Sequence, residues 1–331
     1  MAGKDTAFSM EGASSSERRP DGAPFDNRAA ELAAGLRADQ ACIDPKYLYD
    51  AQGCVLFNAI CELEEYYPTR TERAIFEAHR AAIAQAIPRD LQWVDLGCGD
   101  CAKSRAWLPH VDASRYLGVD IAADCLRHEV AALGRQFPRI ACVAVEADFT
   151  ADLDLHRHLA DTRDHPPVFF YPGSSIGNFA PERAVALMAS ICRQAGPRGS
   201  LLISADLRKD RQVMERAYAD DLGVTAAFNR NVLRVCNRAL GSDFRPADFD
   251  HESWFDDEHG RIEMRLRARQ RLNVRWGASE RIFESGEAIV TEHSYKYTPA
   301  QFDDMLAQAG FSARTMWTDP RSWFGVFLAQ R

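Results

Sequence analysis

The chain has 331 residues, 46% of them hydrophobic, enough for about two domains with buried cores. Forty Lys and Arg stand against 48 acids, a formal net charge of −8, so no basic field points to nucleic acid or an anionic membrane, and a small-molecule substrate is expected. Nine cysteines, no secretory signal and no apolar run of about 18 residues together indicate a reducing cytoplasm.

Residues 1–28 are rich in Ser, Gly, Pro and mixed charge without apolar periodicity, which predicts a mobile tail. A helical pattern follows from Arg28 to Gly35. Then comes an aromatic turn carrying Tyr47 and Tyr49, and a second helix over 51–63. In Tyr66-Tyr-Pro-Thr-Arg-Thr-Glu72 the Thr69 and Glu72 spacing predicts a capping box opening a helix toward Ala86. On periodicity alone, Tyr47, Tyr49, Tyr66 and Tyr67 read as half-buried packing with hydroxyls at the surface.

Residues 91–96 are an apolar run that reads as a buried parallel strand, and Gly97-Cys-Gly99-Asp-Cys-Ala102 reads as the tight turn before a helix. Free amides at such a turn face an anionic or hydroxyl-rich ligand. The spacing allows the G-x-G-x-x-G/A fingerprint of a nicotinamide enzyme. It also resembles the D-x-G-x-G loop of class I S-adenosylmethionine (SAM) methyltransferases. A short strand ending at Asp120, placed for ribose hydroxyls, suits both classes. The Asp148-Phe149 pair ending a third strand resembles the methyltransferase element in which an acid meets the adenine amino group and an aromatic covers the ring. Cys98 and Cys101 form a C-x-x-C, but no second pair stands at zinc spacing, so structural cysteines and no metal are expected.

A helix over 123–137 leads to that third strand. Residues 168–171 are a further buried strand, and the polar turn 173–178 at its carboxyl end makes Asn178 a candidate ligand residue. A helix over 182–195 and a strand over 199–206 complete an alternation that predicts an α/β fold with a doubly wound parallel sheet. The rhythm then breaks. A long insertion opens with a helix containing Met214 and Tyr218 and ends in strand-like runs at 261–267 and 288–297, before a terminal helix and hairpin at 298–331. Period-2 alternation puts Glu292, Ser294 and Lys296 on one face. They could clamp an imidazole N–H or form a solvated outer face.

From about Pro45 to its end the chain resembles the bacterial L-histidine Nα-methyltransferase family, the first enzymes of ergothioneine synthesis. The matching blocks are Tyr66-Tyr-Pro-Thr-Arg-Thr-Glu72, Asp95-Leu-Gly-Cys-Gly99, Gly173-Ser-Ser-Ile-Gly-Asn178, Gly223-Val-Thr-Ala-Ala-Phe-Asn-Arg-Asn231, Ile262-Glu-Met264 and Thr291-Glu-His-Ser294. The resemblance implies a class I methyltransferase sheet with an inserted substrate-binding domain. It also implies conversion of L-histidine to hercynine by trimethylation with SAM, an alternative being another amino acid or imidazole amine.

By resemblance, Gly97, Lys103, Asp120, Asp148 and Phe149 match SAM positions. Asn178 and Tyr218 match residues holding the carboxylate and amine side, and Tyr66 matches another substrate contact. Glu292 and Ser294 match the imidazole pair, with Met264 as an apolar wall. Tyr49 matches a tyrosine near the reacting end, although Tyr47 leaves the register open. The expected division is a SAM-binding domain of residues 70–205 and 298–331, a substrate lid of 29–69 and 206–297, and a monomeric, metal-free enzyme.

Overall fold

The computed structural model describes residues 27–121, 123–149 and 153–331. The expected tail lies outside them except for its last two positions, which open α1 (Asn27–Arg37). A short 3-10 turn at Pro45–Leu48 follows, then α2 (Ala51–Cys61) and α3 (Tyr67–Ala86). The alternating part of the chain then runs through β1 (Leu91–Leu96), α4 (Ala102–Trp107), β2 (Ala113–Asp120), α5 (Ala123–Gln136) and β3 (Ala141–Glu146). It continues with β4 (Pro167–Tyr171), α6 (Pro181–Ala195) and β5 (Ser200–Asp206).

The insertion contains α7 (Arg211–Arg216), α8 (Val224–Leu240), β6 (Phe249–Asp256), β7 (Arg261–Ala268), the hairpin β8 (Leu272–Trp276) with β9 (Ser279–Phe283), and β10 (Ala288–Tyr295). The chain closes with α9 (Pro299–Gln308), β11 (Ala313–Thr318) and β12 (Phe324–Gln330). A capping box joins Thr298 and Gln301 at the start of α9.

The large sheet has the order β11-β12-β5-β4-β1-β2-β3. The pairs among β1 to β5 are parallel, while β12 runs antiparallel to both β5 and β11. The order reverses between β1 and β4, which opens a crevice at the carboxyl ends of those strands. Every residue of β1 is buried. Its side chains alternate, Val94 and Leu96 into one apolar layer with α6 and α9, Leu91 and Trp93 into the other with α3 and α5. A third core joins α1, the aromatic turn and α8 to the three-stranded sheet β10-β7-β6 through Leu36, Leu48, Phe228, Val232, Ile262 and Met264.

Three local expectations need correction. No capping box forms at Thr69, because α3 starts two residues earlier at Tyr67, where Pro68 supplies a preset φ and needs no N–H partner. Glu72 is thereby freed to reach other elements. Tyr218 lies beyond α7, whose helix stops at Arg216, and Asp220 accepts hydrogen bonds from the Val224 and Thr225 amides to start α8 instead. Finally, Glu292, Ser294 and Lys296 do not form a solvated outer face, since all three are buried.

Candidate active site

The turn after β1 is built so that a ligand can approach its backbone. The Gly97 and Cys98 amides donate to the Val119 carbonyl, which fastens the turn to the end of β2. Gly97 and Gly99 hold φ of +67° and +51°, and Cys101 takes a left-handed φ of +57°. Burial of Cys101 and a 3.2 Å hydrogen bond from the Tyr116 hydroxyl to its Sγ hold that conformation. A Cβ at Gly99 would meet nothing within 4 Å, whereas one at Gly97 would stand 3.6 Å from the Phe149 ring. The Gly99 amide donates to Asp120 Oδ2 at 3.0 Å.

Beneath the turn, Asp95 accepts from the Ser104 hydroxyl at 2.5 Å and the Tyr116 hydroxyl at 3.0 Å. Burial raises its pKa to about 6, against the pull of those donors. Glu72 knits three elements together: one oxygen accepts from the Gly173 amide at 2.6 Å and the other from Lys103 Nζ at 2.5 Å. Asp148 pairs with Lys46 at 3.1 Å, and Lys46 also meets Glu31 at 2.9 Å. These residues fit a nucleoside co-substrate, with an open glycine backbone, an aromatic ring beside it and acids at the ends of β2 and β3.

The second half of the site is aromatic and acidic. Ring centroids run from Tyr49 to Phe228 at 5.4 Å and to Phe57 at 5.3 Å, from Phe57 to Tyr66 at 6.1 Å, and from Tyr66 to Tyr218 at 6.3 Å. Tyr47 points elsewhere, its hydroxyl donating to Glu31 at 2.9 Å, so the geometry favours Tyr49 in the open register. Burial, followed by the charge of Glu292, holds the Tyr49 phenol well above its ordinary pKa.

Glu292 faces Met264 across the β7–β10 pair. It is 7% exposed, and its carboxylate has no hydrogen-bond or ion-pair partner among the described residues. Burial pushes its pKa up to about 7, opposed by Lys296. The Tyr218 and Ser294 hydroxyls lie 2.8 Å apart. Asn178, at the end of a 3-10 turn, lines a cavity of about 290 Å³ with Lys46, Tyr49, Phe149 and Tyr171. That cavity joins the cofactor side to the aromatic side.

Of the expected residues, Gly97, Asp120 and Phe149 gather at the turn, and Lys103 is tied through Glu72 to the Gly173 amide after β4. Asp148 sits under Lys46. Tyr49 and Asn178 share the cavity; Tyr49 and Tyr66 pack against the core that holds Tyr218 and Met264, Glu292 faces Met264 across the strand pair, and Ser294 meets the Tyr218 hydroxyl. Sequence reasoning missed Lys46, Glu72, Asp206 and the role of Lys296. The available signal was charge inside apolar patterning: Asp206 ends a seven-residue buried strand and Lys296 continues the buried face of β10. Lys46 carries no such signal, because its partner Asp148 is 102 positions away.

A family model described as a histidine-specific, SAM-dependent methyltransferase matches residues 28–331. A histidine N-alpha-methyltransferase of Mycolicibacterium smegmatis is 40% identical over 307 residues, spanning 91% of this chain and 94% of the relative. That of Mycobacterium tuberculosis is 36% identical over 308 residues, with the same coverage. An ergothioneine biosynthesis protein 1 of Schizosaccharomyces pombe is 28% identical over 277 residues, spanning 80% of this chain and 35% of the relative.

Proposed function

Because the chain belongs to the family of histidine-specific, SAM-dependent methyltransferases and has their class I α/β fold, we propose that it methylates the α-amino nitrogen of L-histidine in ergothioneine synthesis. The product of complete reaction is hercynine. The observation that favours histidine over other amino acids is Glu292, a buried carboxylate with no donor among the described residues, at a position suited to an imidazole N–H.

In this reading residues 70–205 and 298–331 bind SAM and residues 29–69 and 206–297 form the substrate lid. Gly97, Lys103, Asp120, Asp148 and Phe149 hold the nucleoside. SAM supplies an electrophilic methyl on a sulfonium, and displacement by an amine lone pair needs no metal. The chain's task is position and shielding. Asn178 and Tyr218 hold the amino acid's backbone groups, Tyr66 packs beside them, and Glu292, Ser294 and Met264 take the ring.

A protonated α-amine is not a nucleophile, so the site must favour the neutral form, and partial desolvation lowers an amine's pKa. Tyr49 stays a neutral phenol, so it orients the amine and passes a proton on by hydrogen bonding rather than acting as a phenolate base. The faces of Tyr49 and Phe228 accommodate the growing methylammonium through cation–π attraction. All these groups come from one chain, so a monomer suffices, working in a reducing cytoplasm.

Incubation with SAM and all twenty amino acids, read by mass for one, two or three added methyl groups, tests this reading. Three methyl groups on histidine alone are expected. Faster methylation of another amino acid would overturn it.

A further inference from the structure

Lys296 is 2% exposed and carries three N–H donors. The acceptors around it are Tyr218 Oη at 2.8 Å, Ser294 Oγ at 2.8 Å and Asp206 Oδ2 at 2.9 Å. Asp206 cannot shift to follow another partner. It sits at the end of β5, accepts from the Tyr67 hydroxyl at 2.7 Å and from Lys209 at 2.5 Å, and its own amide donates to Ser174. The ammonium is therefore held from the sheet side and delivered to the two hydroxyls on the substrate side.

We propose that Lys296 is a positioning residue that turns the Tyr218–Ser294 hydroxyl pair into a net hydrogen-bond donor toward the bound amino acid. The pair owns two protons. One lies in the 2.8 Å contact between the hydroxyls, and each oxygen already accepts an N–H from Lys296. If Tyr218 donates to Ser294, both serine lone pairs are filled and the serine proton faces outward. If Ser294 donates to Tyr218, the phenol proton faces outward. The lone pair left over in either arrangement belongs to an oxygen polarised by the ammonium, which makes it a poor acceptor.

Glu292 stands two residues from Ser294 on the same strand and accepts when ionised. One acceptor and one donor then complement a neutral imidazole, whose N–H meets Glu292 and whose unprotonated nitrogen meets the Ser294 hydroxyl, in the arrangement where Tyr218 donates to Ser294. This assignment rests on the histidine reading above and adds the group that sets the donor side.

The test measures dissociation constants by calorimetry, in the presence of S-adenosylhomocysteine, for L-histidine and for the two pyrrolylalanine isomers, which keep a ring N–H and lack the ring lone pair. It compares the wild-type protein with Lys296→Met and with Lys296→Met combined with Asp206→Asn, the second variant neutralising the carboxylate that the first leaves short of a partner. Wild-type protein is expected to prefer histidine by at least about tenfold, the worth of one hydrogen bond in a charged network. In whichever variants keep a cooperative melting transition the preference should fall to within about twofold. A merely structural role would weaken all three ligands alike, so an undiminished preference in a folded variant overturns the role while leaving the histidine reading standing. Failure of wild-type protein to bind histidine overturns both.

Discussion

A buried carboxylate without a donor is costly when charged, and Glu292 is such a group among the described residues. In the unfolded chain it titrates near 4.5, and in the folded protein near 7. Between those values the folded state keeps a proton that the unfolded state has released, so stability falls as pH rises through the window and stays low above it. At about 1.4 kcal/mol per pH unit the cost above neutrality is at most about 3.5 kcal/mol. Glu292→Gln is therefore expected to raise Tm at about pH 8 and to change it little near about pH 5, while weakening histidine binding by about tenfold. A difference in Tm that stays constant across this range would contradict the charge argument. The position exemplifies a site that costs stability until its ligand arrives.

At the scale of elements, the site depends on how closely the 3-10 turn Ser175–Asn178 packs against β10. A Cβ at Gly177 would stand 2.9 Å from the Tyr295 carbonyl oxygen, a backbone atom that cannot swing aside. Gly177→Ala should push Asn178 away from the strand bearing Glu292 and Ser294, raising the histidine KM by about tenfold or more while SAM affinity changes by less than about threefold. Equal losses for both ligands would mean that the turn serves the whole cleft. The turn was legible in the sequence because apolar residues 168–171 run straight into a glycine-rich polar stretch, and β1 was legible because strand, glycine and helix follow within a dozen positions. The start of α3 was not. Thr69 and Glu72 have capping-box spacing, but Pro68 starts the helix earlier and Glu72 is drawn to Gly173 and Lys103, contacts that only tertiary structure creates. Likewise, alternation put Glu292 and Ser294 on one face, yet could not tell a buried face from a wet one, because that depends on α8 and the aromatic turn covering it.

In the whole molecule, β10 belongs to two cores at once. Ile289 packs into the core of the insertion, while Tyr295 and, just past the strand, Tyr297 pack into a core of the large sheet. The Ile43 amide donates to the Val290 carbonyl and the Val290 amide to the Ala41 carbonyl, which adds the N-terminal segment, and the Tyr297 amide donates to the Asp206 carbonyl. Phe149, Tyr49 and Asn178 line a single cavity along this junction, and in the proposed reading cofactor and amino acid meet there. S-adenosylhomocysteine is therefore expected to tighten histidine binding by at least about fivefold in calorimetry, a coupling of about 1 kcal/mol, and the two ligands together should raise Tm by more than the sum of their separate effects. Identical histidine affinity with and without S-adenosylhomocysteine would show that the two halves bind independently.

The double anchoring of β10 bears on how such an enzyme could be retargeted. With its ends gripped by different layers, the strand's path is set by Ile289, Tyr295 and Tyr297, which in the proposed reading leaves positions 292 and 264 free to be exchanged as a matched couple. New acceptors become accessible by altering that couple, with the methyl-donor machinery inherited intact.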